Sequence, residues 1–100
     1  MIIYNVTIQV DWKIHEEWLS WLQKEHVIQI MDTGLFQRYQ LSRLINPEQE
    51  IGPTYCIQFF TTQELYNQYV DHYAIGLTGK GLDRWGTDFV SFSTIMEVVH

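Results

Sequence analysis

The run HEEWLSWLQKEH, from His15 to His26, opens and closes on histidine and carries Trp18 and Trp21 between them. Histidine titrates near neutrality and indole rings make broad apolar walls, so the run holds the ingredients of a proton-handling or ligand-holding site. On a helix, His26 returns to within about 20° of His15, but the two stand about 16.5 Å apart along the axis. They share a face and cannot share a metal ion. With Cys56 the only cysteine, and no HxxxH or HxxE spacing on this segment, the sequence implies neither a metal centre nor a cofactor.

His15 belongs to the opening turn and is expected to be solvated. His26 lies within about 40° of Leu19, Leu22 and Ile30 on the helical wheel, which points it at the sheet or its rim. There it is either a core-edge histidine satisfied by a tyrosine or a carbonyl, or a pocket residue that donates a hydrogen bond or shuttles a proton. A second stripe at helical spacing, Leu65, Tyr66, Tyr69, Val70 and Tyr73, supplies hydroxyls that need partners if buried. It forms either plain core or one wall of an aromatic pocket lined by Trp18, Trp21, His26, Tyr69, Tyr73 and Trp85. In such a pocket His26 and a tyrosine hydroxyl would orient a small, planar, apolar ligand. Trp21, near the edge of its stripe, is alternatively a contact to a partner subunit.

Cys56 sits mid-strand and reads as a packing residue, and Arg38 and Arg43 read as surface ion-pairing groups, with binding of a carboxylate or a contact across the dimer as the alternative. No Ser-His-Asp order or carboxylate pair stands out. The glycines of TGKG follow a helix and precede no GK[ST], so a P-loop is excluded.

These residues must be positioned by a small set of elements. From Ile2 to Val10, apolar Ile2, Tyr4, Val6, Ile8 and Val10 alternate with Ile3, Asn5, Thr7 and Gln9, the two-residue period of a half-buried strand. Asp11 offers a cap, and Glu16 and Glu17 suit the first turn of a helix running from about Trp12 or Ile14 to about Asp32, with Gly34 as its stop. LFQRYQLSRLI and TYCIQFF read as strands joined through the turn-prone NPEQEIGP. In TTQE, Thr61 and Glu64 have the spacing of a capping box before a second helix, LYNQYVDHYA. That helix is expected to end in or near IGLTGKGLDRWG, with a short extra turn around Leu82 to Trp85. FVSFSTIMEVV is a fourth strand. The order is β-α-β-β-α-β: an α+β, ferredoxin-like sandwich in one domain, residues 1–100, with two helices on one face of a four-stranded antiparallel sheet.

At 100 residues the chain can bury one substantial core. A net charge of −6, with six scattered basic residues, disfavours nucleic acid and anionic membrane surfaces as partners. The opening MIIYNVTIQV lacks the form of a secretory signal, and no apolar stretch is long enough to span a bilayer, so a cytoplasmic location is expected.

Two helices cover only one side of such a sheet. The open side is expected to show Ile3, Asn5, Thr7 and Gln9 from strand one and Ser91, Ser93, Ile95 and Glu97 from strand four. Strand three contributes either Cys56, Gln58 and Phe60 or Tyr55, Ile57 and Phe59. A neutral, polar centre beside apolar rings suits a hydrogen-bonded interface, and points to homodimerisation through the open sheet face.

The stretches MIIYNVTIQV, IHEEWLSWLQKEHVIQIMDTGLF, TYCIQFF and DRWGTDFVSFSTIMEV together resemble a family of short bacterial proteins classed as a domain of unknown function. That family is similar to the dimeric α/β barrel superfamily, so the resemblance implies a ferredoxin-like subunit that packs sheet to sheet. The superfamily includes antibiotic-biosynthesis and haem-degrading monooxygenases, muconolactone isomerases and purely structural members. The W…EH…G arrangement from Trp18 to Gly34 is similar to several of these, Asn5 resembles the strand-one asparagine of the haem-degrading enzymes, and Tyr69 stands where they carry tryptophan. Their later helical histidine has no counterpart, because His72 comes too early.

Two functions remain in view. One is a binding or structural module with a helix-to-sheet cleft. The other is a cofactor-independent monooxygenase or isomerase, acting on an aromatic or quinone-like compound polarised by His26, Asn5 and Tyr69.

Overall fold

The computed structural model describes residues 1–45 and 50–99. The NPEQ part of the turn-prone loop lies outside the described residues. Strand β1 (Ile2–Val10) is followed by a 3-10 turn (Trp12–Ile14), helix α1 (His15–Trp21), a π-helical turn (Leu22–His26) and helix α2 (Val27–Met31). Then come β2 (Arg38–Arg43), β3 (Thr54–Thr61), α3 (Gln63–His72), α4 (Ala74–Trp85) and β4 (Phe89–Glu97). The strands form one antiparallel sheet in the order β2-β3-β1-β4, the ferredoxin-like arrangement expected from the element order.

Local chemistry explains most boundaries. Asp11 caps the first helical turn, its side chain accepting from the Lys13 N–H at 2.9 Å. The segment ends at Gly34, whose φ of 77° lets the chain turn away while its N–H donates to the Met31 carbonyl. The cap of α3 is Thr62 and not Thr61: the Thr62 hydroxyl accepts from the Leu65 N–H, whereas Thr61 completes β3 and donates to the Leu35 carbonyl at 2.6 Å. Thr61 is fully buried, and the Leu35 carbonyl satisfies its hydroxyl there.

The second helical segment departs from expectation. It breaks only briefly at Tyr73 and then runs through three glycines as α4 to Trp85. Leu77, Gly81 and Trp85 recur every fourth residue on its buried face, so tertiary packing overrides the poor helix propensity of glycine.

The register assigns the sheet faces. Tyr4, Val6, Ile8 and Val10 share the helix side with Tyr55, Ile57 and Phe59 of β3 and with Phe89, Ser91, Ser93 and Ile95 of β4. The open side carries Ile3, Asn5, Thr7 and Gln9, then Cys56, Gln58 and Phe60, then Val90, Phe92, Thr94 and Met96. Strand four is therefore turned relative to the expectation that put Ser91, Ser93, Ile95 and Glu97 on the open face. Its polarity misled because β4 is an edge strand: almost its whole length is exposed, so Ser91 and Ser93 stay wet while facing the helix layer.

The core lies between helices and sheet and is largely aromatic. At one end Tyr4, Phe36, Phe59 and Tyr69 pack ring on ring, with Phe36 edge-on to Tyr69 at 4.9 Å. At the other end sit Trp18, Trp21 and Trp85.

Candidate functional site

Between α1, the π turn and α4 on one side and β1 and β3 on the other lies a cavity of about 90 Å3. Trp18, Trp21 and His26 reach it from the first helical segment, Tyr69 from α3, and Trp85 from α4, so five of the six expected pocket residues meet around one space. Tyr73 does not. It is 42% exposed and stacks behind Tyr69 with ring centroids 6.3 Å apart. Val70 is likewise exposed.

Leu22 and His26, four residues apart and so on one face, both line the cavity from the π-helical turn. Such insertions add a residue to one turn and shift the phase of everything after it, and they are frequent at functional sites. His26 stacks on Trp21 with centroids 4.6 Å apart, and Trp21 meets Trp85 edge-on at 5.9 Å. Burial, followed by the nearby Lys80 ammonium, pushes the His26 pKa down to about 4, so the ring is neutral at physiological pH. Its Nδ1 and the Nε1 of Trp85 are both buried without a hydrogen-bond partner among the described residues.

The two histidines differ in their partners. His15 is not simply solvated: its Nε2 lies 2.7 Å from the Tyr55 hydroxyl, and its ring stacks on Tyr55. Burial, then the Arg43 charge, lowers its pKa. His26, for which a tyrosine partner was one expectation, has none at Nδ1.

Asn5 is on the opposite side of the sheet from His26 and Tyr69. Its side-chain amide donates to Thr7 Oγ1 at 3.1 Å and to Thr94 Oγ1 at 3.3 Å. Tyr69 has its pKa raised, first by burial and then by Tyr4 and Tyr66, so its phenol stays protonated. Cys56 also faces the open side, with Sγ 3.8 Å from Thr7 Oγ1. Among the described residues no group of three or more His, Cys, Asp or Glu side chains is placed to hold a metal ion.

Sequence reasoning missed Leu22, Phe89 and Gly81 as lining residues. Helical spacing from Trp18 and His26 signals Leu22, but nothing in a glycine-rich run marks Gly81 as a packing position. A Cβ there would sit 3.6 Å from Trp21.

Comparison with known proteins places this geometry in a wider set. An ethyl tert-butyl ether D (EthD) family protein from Bacillus halodurans superposes with a TM-score of 0.72 at 10% identity, covering 99% of this chain and 100% of that one. A dimeric ferredoxin-like protein from an uncultured marine organism gives 0.75 at 10% identity, covering 99% and 95%. HapK from Hahella chejuensis gives 0.69 at 13% identity, covering 99% and 93%. At these identities the likeness concerns the fold. No curated protein matches the chain in sequence. The chain itself belongs to the family described as Domain of unknown function (DUF4286), which matches residues 1–99.

Proposed function

We propose that the protein is a homodimeric, cytoplasmic binding module that holds one small, mostly apolar ring compound between its helices and its sheet. The observation that carries this reading is the tryptophan-walled cavity with buried, unpartnered nitrogens on His26 and Trp85. Unpaired buried polar groups are rare in folded proteins, and two in one wall suit a ligand that supplies what the fold does not. At about 90 Å3 the space is smaller than the roughly 150 Å3 known to take benzene, so the ligand is compact or α4 shifts outward to admit it.

Binding fits better than catalysis. A histidine with a pKa of about 4 is a weak base at neutral pH, and Tyr69, with its raised pKa, is a weak acid. Asn5, the third group of the monooxygenase or isomerase reading, faces the other side of the sheet.

The dimer reading draws on that other side. Val90 and Phe92 are exposed to 67% and 61%, beside the neutral Asn5, Thr7 and Gln58. Apolar rings flanking neutral polar groups suit a self-complementary two-fold interface. The marine protein of the same fold is described as dimeric, which supports this assembly.

The test is a tryptophan-fluorescence titration with a panel of small ring compounds, since Trp18, Trp21 and Trp85 all border the cavity. Saturable shifts that Trp21→Ala weakens are expected. A flat response across the panel overturns the reading.

A further inference from the structure

Among the residues around the cavity, Trp85 carries a polar atom whose chemistry runs in one direction. Trp85 is 8% exposed, and its Nε1 is buried with no hydrogen-bond partner among the described residues. An indole N–H can donate and cannot accept, so what it lacks is an acceptor. Thr78, Ser91 and Tyr69 carry hydroxyls on the same cavity, and none of them meets it.

The other orphan, His26 Nδ1, is adaptable. A neutral imidazole offers that nitrogen as donor or acceptor according to its tautomer, so His26 accepts either kind of ligand atom. Both rings pack on Trp21, His26 at 4.6 Å and Trp85 at 5.9 Å between centroids, which gathers the two orphan-bearing groups around one side chain.

The charge of the ligand is also restricted. Among the described residues, no Asp, Glu, Lys or Arg lines the cavity. An ionised ligand would lose its hydration without a direct ion pair, the nearby Lys80 ammonium standing outside the lining.

We propose that the cavity selects a neutral ligand with a carbonyl-type acceptor on a compact apolar body, and that the Trp85 Nε1–H reads that acceptor. This rests on the binding reading above and sharpens it to a ligand class and a specificity-determining residue. A ligand without an acceptor leaves the buried N–H unpaired, which is a stronger basis for rejection than shape alone.

The test pairs two near-isosteres, cyclopentanone and methylenecyclopentane, and adds cyclopentanecarboxylate. Each is titrated into protein carrying 15N-labelled tryptophan, and into protein in which Trp85 is replaced by β-(3-benzothienyl)alanine, which keeps the ring shape and lacks the N–H. Trp85→Phe serves as a second variant. The expected result is that cyclopentanone moves the Trp85 indole signal downfield and the hydrocarbon does not. Relative affinity for ketone over hydrocarbon should fall about tenfold when the N–H is removed. The carboxylate should bind far more weakly than the ketone.

An unchanged ketone-to-hydrocarbon ratio after loss of the N–H, or carboxylate binding that matches the ketone, overturns the proposal while leaving the cavity a binding site. No binding by any of the three, in protein that also fails to respond to the wider panel, overturns both.

Discussion

His26 lies nearly parallel to Trp21, with 20° between the ring planes and 4.6 Å between their centroids, and the stack is buried enough to keep the imidazole neutral. The folded-state pKa is pushed from 6.5 to about 4, first by burial and then by Lys80. Between those values the unfolded chain binds a proton that the folded chain refuses. Stability is therefore complete above about pH 6.5, falls as the pH drops, and has lost this contribution below about pH 4, a change of up to about 3 kcal/mol. Urea unfolding at pH 7 and pH 4.5 checks it: the wild-type midpoint should fall further than that of His26→Phe, which keeps a ring on Trp21 and removes the titration.

Gly81 faces Trp21 from α4, and a Cβ there would make an ordinary contact at 3.6 Å. Gly81→Ala should thus raise stability by about 0.5–1 kcal/mol through helix propensity while narrowing the cavity. Gly79→Ala, with nothing within 4 Å of the added Cβ, is the control, expected to stabilise without touching the cavity. Thermal melts and ligand titrations on both variants separate the two effects.

Gly52 has no such freedom. A Cβ at that position would lie 1.6 Å from the Val10 carbonyl oxygen, where the chain before β3 crosses the end of β1. Backbone on both sides must move, and the neighbouring bonds, Val10 N–H to the Pro53 carbonyl and Trp12 N–H to the Ile51 carbonyl, would be strained. Gly52→Ala should cost several kcal/mol, or about 3–5, on the scale of severe core substitutions. Chemical denaturation, or loss of soluble protein on expression, reads the result.

Phe92 stands on the open face opposite Thr7 and is largely exposed in the single chain. In the proposed two-fold interface, Phe92→Asp would set a carboxylate from each subunit on the shared face, at little cost to the subunit itself. Sedimentation velocity should show dimer converted to monomer, with an unchanged circular dichroism spectrum. A dimer that survives the substitution places its interface elsewhere.

Much of the fold was legible because periodicity reports burial directly. The two faces of β1, the Asp11 cap and the Gly34 stop all appear where the pattern puts them. What escaped has physical causes. Helix α4 runs through glycine because Leu77 and Trp85 are anchored in the core, a tertiary effect with no local signature. The face assignment of β4 failed because an edge strand can leave serines exposed on either side. The candidate site was legible as a set of rings at helical spacing, but not the π turn within that helix, nor the Tyr55 partner of His15. Both depend on how the helix meets the sheet. Asn5 was grouped with His26 by family resemblance, and strand alternation alone puts it with Thr7 on the other face.

The most direct measurement is a set of intermolecular nuclear Overhauser effects between cyclopentanone and isotope-labelled protein, because the two faces of the sheet carry distinguishable side chains. Contacts to Trp18, Trp21, Ile57 and Phe89, all on the cavity, are the predicted result. Contacts confined to Val90, Phe92 and Met96 would put the ligand on the open face and contradict the account.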